Sequence, residues 1–423
     1  MSMSGVKNQP VAITGIGIVT ALGVGKEDNW AKLTAGQSGI RRITRFPTTD
    51  LKTQIAAAIV WPGGEAFYGP DYCEAFADSA IREALAQSGI GAKGRFPGPL
   101  FLALPPLEME WPQRQRLAAA ANANDAVGYD DLLRAAASGQ FRELDRWCQH
   151  GAVALKLQAA FGTRGSPISL NTACASGATA LQLGVEAIRR GETEAALCVG
   201  TDSPVSPESL IRFSLLSALS TENDPPEQAS KPFSKDRDGF VMGEGAAALV
   251  LESLASARAR GARILGVISG IGESVDPFHR TRASPDGKPV AACIQNAIAD
   301  AGLAPREIDY VNAHGTSTPE NDKTEYLALS TVMGEHVKRV AVSSNKSMIG
   351  HTLSAAGAIE AVFTLLTLLH QRLPPTINYR EPDPDIPLDV VPNIARDAQV
   401  RRALSNSFGF GGQNVSLVLE TYG

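Results

Sequence analysis

A cysteine flanked on both sides by small residues is the first place where this sequence could do chemistry: Asn171-Thr172-Ala173-Cys174-Ala175-Ser176-Gly177. It follows a short run, residues 167–170, and precedes an alanine-rich stretch with no proline until Pro204. Small neighbours suit a sharp strand-to-helix turn, where bulky side chains would clash, and such a turn puts Cys174 at a helix N-terminus. The unpaired N–H groups there carry partial positive charge and favour thiolate. Lowering a thiol pKa from about 8.5 to about 7 is worth roughly 2 kcal/mol and leaves half the thiol ionised near neutrality. The competing reading is a small, inert, buried cysteine, the commonest state of a free thiol.

Two histidines shift that balance. Asn312-Ala313-His314-Gly315-Thr316 follows a β-branched run at 308–311, and Ser344-Asn345-Lys346-Ser347-Met348-Ile349-Gly350-His351 follows another at 340–343. In an open α/β sheet the C-terminal ends of strands converge on the ligand crevice. Either histidine alone reads as a hydrogen-bonded structural residue; the pair, with a cysteine at a third strand end, reads as a site. Glu360 lies in the otherwise apolar run Leu353–His370, so its carboxylate needs a partner if buried. Lys346 is the candidate, either within the site or as a purely structural ion pair. Ser405-Asn406-Ser407-Phe408-Gly409-Phe410-Gly411-Gly412 is a glycine-dense loop before a final strand at 415–420. Its glycines permit close approach of backbone N–H groups to a ligand, as an oxyanion hole requires, and Phe410 could gate an apolar channel. An ordinary loop fits the pattern equally well.

The elements that must position these groups alternate. Strand signals at 11–18, 195–199, 246–251 and 264–272 interleave with helical stretches at 177–190, 290–301 and 353–370. That pattern predicts an α/β fold with strands buried on both faces. Gly15-x-Gly17 invites a dinucleotide-binding reading, but Thr20 stands where the fingerprint needs glycine. The glycine-rich strand at 264–272 echoes the one at 11–18, a hint of two similar halves. Residues 374–392, rich in proline and aspartate, predict an extended surface connection, and 101–150 a largely helical insertion.

Across 423 residues, 44% are apolar and 20% charged, the balance of a large globular domain, and the net charge of −5 points to neither nucleic acid nor anionic lipid. No uninterrupted apolar stretch approaches the roughly 20 residues of a membrane span, nor does the start resemble a secretion signal. We expect a cytoplasmic protein. The five cysteines are scattered, without C-x-x-C spacing, against a disulfide framework or zinc site.

Taken together, TACASG around Cys174, HGTST from His314, NKSMIGH from Asn345, GFGG from Gly409 and KPFSKDRDGFVMGEG at 231–245 closely resemble the β-ketoacyl-[acyl-carrier-protein] synthases, most of all the elongating type II enzymes. The likeness covers 11–40 and nearly all of 161–423. It implies a thiolase fold, two pseudo-symmetric five-layered αβαβα halves at 1–254 and 255–423, and a homodimer whose partner is acidic acyl carrier protein. By the same resemblance, Cys174 takes the acyl chain, while His314 and His351 bind the malonyl thioester carbonyl and support decarboxylation. Lys346 supports the site and pairs with Glu360. Backbone N–H groups of Cys174 and Phe410 form the oxyanion hole, the Phe410 ring gates the acyl tunnel, and Thr316 and Thr318 contact the phosphopantetheine arm. No resident cofactor or catalytic metal is implied, although Asp322 and Glu325 match acidic positions near a structural cation in some relatives.

The likeness lapses between about 61 and 150. The family's basic residues ahead of the first long helix are not apparent at 61–72, leaving Arg280 and Arg282 as candidates for carrier docking. In relatives, the counterpart of 101–150 helps form the dimer interface and the far end of the acyl pocket, so an altered chain preference is expected. Two rival functions remain. A coenzyme A-dependent thiolase needs a second catalytic cysteine near the C-terminus, whereas the last one here is Cys293. A non-catalytic chain-length partner lacks the nucleophile.

Overall fold

The computed structural model describes residues 9–61, 69–91, 94–121 and 128–423. The first half contributes β1 (Val11–Thr20), α1 (Pro70–Ser88), β2 (Leu100–Ala103), α2 (Trp111–Ala121), α3 (Tyr129–Ala137), α4 (Ala152–Phe161), β3 (Ile168–Leu170), α5 (Ser176–Arg189), β4 (Ala195–Asp202), α6 (Pro207–Leu215) and β5 (Gly245–Ser253). The second half contributes β6 (Gly266–Val275), α7 (Lys288–Asp300), β7 (Tyr310–Asn312), α8 (Pro319–Met333), β8 (Ala341–Ser343), α9 (Ala356–His370), β9 (Arg402–Phe408) and β10 (Gln413–Glu420).

Strand order runs β1-β5-β4-β2-β3 in the first half and β6-β10-β9-β7-β8 in the second. In both, the first two pairings are antiparallel and the last two parallel. A short antiparallel β1–β6 pairing joins the halves. The repeat hinted at by the two glycine-rich strands therefore extends to the whole strand order.

Side chains of β5 alternate between two cores, as the period of two requires. Ala247, Leu249 and Leu251 join the central cluster with α5 and α9, whereas Ala246, Ala248 and Val250 face the outer cluster with Phe76, Ala80 and Ala84 of α1. A matching outer cluster places Ile294, Ile298 and Leu329 of α7 and α8 beside Val311, Val342 and Leu404. Hence α5 and α9 form the buried middle layer of five. They approach so closely that a Cβ on Gly177 would lie 2.5 Å from Ala358 N, and one on Gly357 2.4 Å from Ala178 N. Leu353–His370 is apolar enough to cross a membrane by length and composition, but 83% of it is buried here, which identifies it as core.

Two expectations need correction. Residues 101–103 belong to the core strand β2, pairing in parallel with both β3 and β4; helix begins only at Trp111. The short run was masked by the prolines that follow it. The 374–392 connection is irregular, as predicted, but Thr376, Ile386 and Val390 are buried. Val342 N–H donates to Asp389 O and Ser344 N–H to Thr376 Oγ1, so this segment caps the outer edge of β8 instead of crossing open surface. The expected lack of basic residues at 61–72 falls largely on residues outside the described set.

Candidate active site

Cys174 sits on the turn between β3 and α5, two residues before the helix begins. Ala173 adopts φ 50° there, a left-handed conformation that a small side chain tolerates best. Hydrogen bonds hold the turn: Thr172 N–H to Ser176 Oγ at 2.8 Å, Ser176 Oγ–H to Ala173 O at 2.6 Å, and Ala173 N–H to Asn171 Oδ1 at 3.1 Å. The place is as expected; the acidity is not. Burial pushes the thiol up to about 11, outweighing the lowering by Phe410 N–H, the Lys346 charge and its own N–H. Desolvation of the sulfur dominates the end of the helix, so the resting residue is a thiol near neutral pH.

His314 follows β7 and His351 follows β8, and their rings meet edge to face with centroids 5.3 Å apart. Both are buried, at 3% and 2% exposure. Burial first, and the nearby Lys346 charge second, hold both well below the ordinary imidazole value, with His351 further depressing His314. Both rings are therefore neutral at pH 7. Leu353 N–H donates to His351 Nδ1 at 3.3 Å, and Lys346 Nζ lies 3.4 Å from His314 Nδ1. With each Nδ1 accepting, each Nε2 carries the proton. Phe408 packs edge-on against His314, and Phe240 against His351.

Lys346, 1% exposed, donates to His314 O at 2.6 Å and pairs with Glu360 on α9. Burial raises Glu360 to about 7 against the pull of Lys346, and its second oxygen has no partner. The ion pair is thus built into the support of His314, which joins the two readings left open by the sequence.

Asp322 and Glu325 also serve that loop. Glu325 accepts His314 N–H at 2.9 Å, Gly315 N–H at 2.8 Å and Asn406 Nδ2 at 3.1 Å, and Asp322 accepts Phe233 N–H at 2.8 Å. Their oxygens face N–H donors, and among the described residues no group of three or more His, Cys, Asp or Glu could hold a metal ion. The 231–245 motif explains itself here too: Lys231 N–H donates to Ser317 Oγ and Gly239 N–H to Ser317 O, bracing the turn after His314.

Two cavities meet at Cys174. One, of about 530 Å³, is lined by Cys174, His314, His351, Thr316, Thr318 and Phe410, with Arg280 and Arg282 at its mouth. The other, of about 350 Å³, is lined by Leu107, Met109 and Pro204. Phe410, Phe213, Leu216 and Leu353 border both. The backbone N–H groups of Phe410 and Cys174 both favour the ionised Cys174 sulfur. Gly411 N–H donates to Arg280 O at 2.8 Å, tying the glycine loop to the arginine-bearing one. Thr316 and Thr318 hydroxyls lie 2.8 Å apart on the outer wall.

Cys293 is buried far from this chemistry, donating to Gly272 O at 3.2 Å and Ser416 Oγ at 3.5 Å, which leaves a thiolase without its second cysteine. Sequence reasoning missed Phe213 and Leu216, which carry no signal on an ordinary amphipathic helix. It also missed Asp202, although a carboxylate at the C-terminal end of a buried strand is a legible sign.

Comparisons with known proteins agree with this geometry. The model for the β-ketoacyl synthase N-terminal domain matches residues 8–91 and 117–257, and that for the C-terminal domain 265–380. The divergence thus centres on 92–116, narrower than 61–150. The chain is 38% identical to 3-oxoacyl-[acyl-carrier-protein] synthase 2 of Coxiella burnetii, over 97% of this chain and 98% of that one. It is 36% identical to a putative polyketide β-ketoacyl synthase 1 of Streptomyces halstedii, over 97% of each. A type II PKS ketosynthase solved in complex with its acyl-carrier protein superposes with TM-score 0.86 at 30% identity, covering 98% of this chain and 100% of that one. The thiolase-fold halves, the motifs and these relatives place the chain in the β-ketoacyl synthase family.

Proposed function

We propose that this protein is a 3-oxoacyl-[acyl-carrier-protein] synthase that condenses an acyl chain on Cys174 with malonyl-acyl carrier protein. The observation that carries the reading is the meeting of two cavities at one sulfur. The cavity lined by Leu107, Met109 and Pro204 holds the acyl chain, and the one lined by Thr316 and Thr318 admits the carrier's phosphopantetheine arm. Arg280 and Arg282, exposed at the mouth, meet the acidic carrier.

Cys174 loses its proton as it attacks the acyl thioester, and the carrier thiol leaves with a proton. N–H groups of Cys174 and Phe410 turn from the sulfur to the developing oxyanion. Malonyl carrier then enters with its thioester carbonyl on the two Nε2–H groups. Carbon dioxide departs, and the electron pair left behind forms an enolate stabilised by those donors. Its carbon attacks the Cys174 thioester, a carbon–carbon bond forms, and the sulfur leaves and is reprotonated. The products are 3-oxoacyl carrier protein, carbon dioxide and free enzyme. The imidazoles supply the carbanion stabilisation, so this chemistry calls for no resident cofactor. A chain-length partner would have no use for a cysteine between the two cavities.

A homodimer belongs to the reading. The edge of β8 is capped by its own chain, whereas β3 ends its half-sheet with Ile168 exposed, and Trp111, Tyr129 and Leu133 of the same half are exposed too. Open edges invite pairing, and a second copy would cover this one; sedimentation as a single chain at micromolar concentration would contradict it. We place the enzyme in the cytoplasm. Incubation with acyl and malonyl carrier proteins tests the function: 3-oxoacyl carrier protein and carbon dioxide are expected, and failure to form either rejects it.

A further inference from the structure

Asp202 ends β4 in the half that carries Cys174, yet it touches the half that carries His351. It is 1% exposed, and its Oδ2 accepts Ser354 N–H at 2.9 Å. Ser354 belongs to a single helical turn, Leu353–Ala355, that leads into α9. Its hydroxyl is also held by Asn171 Nδ2 at 3.3 Å, and Asn171 in turn donates to Leu104 O at 2.8 Å. Leu353, next to Ser354, is the residue whose N–H reaches His351 Nδ1 at 3.3 Å. It does so from φ 43°, which a leucine adopts only where its surroundings over-determine the backbone. One path therefore connects the two halves: the Asp202 carboxyl to Ser354 N–H, strained Leu353, and the imidazole nitrogen that must accept for the other to donate.

We propose that Asp202 is a positioning residue for His351, holding the Leu353–Ser354 turn so that Leu353 N–H keeps His351 protonated on Nε2. The inference rests on the condensing reading above and adds to it a cross-link between the nucleophile half and the decarboxylation half. Asp202 has no contact with the malonyl group; it acts through two backbone N–H groups. A residue serving only local packing would not touch the tautomer of a ring on another strand. The remaining oxygen of Asp202, Oδ1, has no hydrogen-bond partner, and Asp202 lines the cavity that also holds Leu107 and Met109.

The test separates two half-reactions of the full-length enzyme, acyl loading of Cys174 and decarboxylation of malonyl carrier protein. D202A, which removes the acceptor, is expected to lower decarboxylation at least about tenfold more than it lowers loading, since only one transition state uses His351. Imidazole nitrogen NMR should show His351 passing from one tautomer to a mixture. D202N keeps an oxygen that accepts Ser354 N–H and is expected to retain decarboxylation within about threefold. If D202A does not fold, D202S, too short to reach Ser354, takes its place. Equal losses of loading and decarboxylation, an unchanged decarboxylation rate, an unmoved tautomer, or D202N failing as badly as D202A would each overturn the proposal. A wild-type enzyme that does not decarboxylate malonyl carrier protein would instead reject the function.

Discussion

H351A and H314A each lower decarboxylation of malonyl carrier protein by about 100- to 1000-fold, the usual loss when one donor to a developing oxyanion is removed. Acyl transfer to Cys174 changes little in either variant, because the oxyanion of that step faces the N–H groups of Cys174 and Phe410. The size of the effect follows from where the rings sit. They are buried, their Nδ1 atoms are engaged by Leu353 N–H and Lys346, and they stay neutral because desolvation and the Lys346 charge disfavour protonation. A preorganised neutral donor in a dry site needs no reorganisation when charge develops. The sign of the pH dependence follows as well. Both rings titrate well below the usual histidine value, so falling pH leaves the rings themselves neutral through about 6.5, and a fall of decarboxylation near pH 7 would report Glu360, raised to about 7, and not the imidazoles. Single-turnover release of carbon dioxide, measured across pH with each variant, checks both statements; equal loss of loading and decarboxylation would contradict them.

K346A destabilises the protein by about 3–5 kcal/mol, and E360A does the same, because each strands a buried charge that has lost its partner. The two side chains are each 1% exposed, so water cannot replace the missing group. Replacing both at once with apolar residues of similar volume, K346M with E360L, should recover most of that stability. Activity should not recover with it. Lys346 also donates to His314 O and approaches His314 Nδ1, and methionine offers neither contact. Chemical-unfolding midpoints set against turnover of the three variants check this. A double variant as unstable as the singles would show that the pair is not the source of the effect, and one with full turnover would remove Lys346 from the mechanism.

Much of this was legible in the residues, for identifiable reasons. Cys174, His314 and His351 stand in the segments that follow strand ends, and an α/β sheet gathers such ends at one place. Glu360 was visible as a lone carboxylate in an apolar helix, which needs a partner. The acidity of Cys174 was misjudged because a helix N-terminus can be read from a sequence, whereas the burial that opposes it is a tertiary property that no local pattern carries. The strand at 100–103 was hidden for a related reason: four apolar residues carry no period, and only their parallel partners define them. Asp202 lay just past a recognised strand, but its work is done on a backbone N–H of the other half, which no local pattern encodes.

Peptide mass spectrometry after incubation with acyl carrier protein goes straight to the central claim. The account predicts one acyl adduct, on Cys174, that disappears when malonyl carrier protein is added and 3-oxoacyl product forms. An adduct on Cys73, Cys148, Cys198 or Cys293, or product formed with Cys174 never acylated, would contradict it.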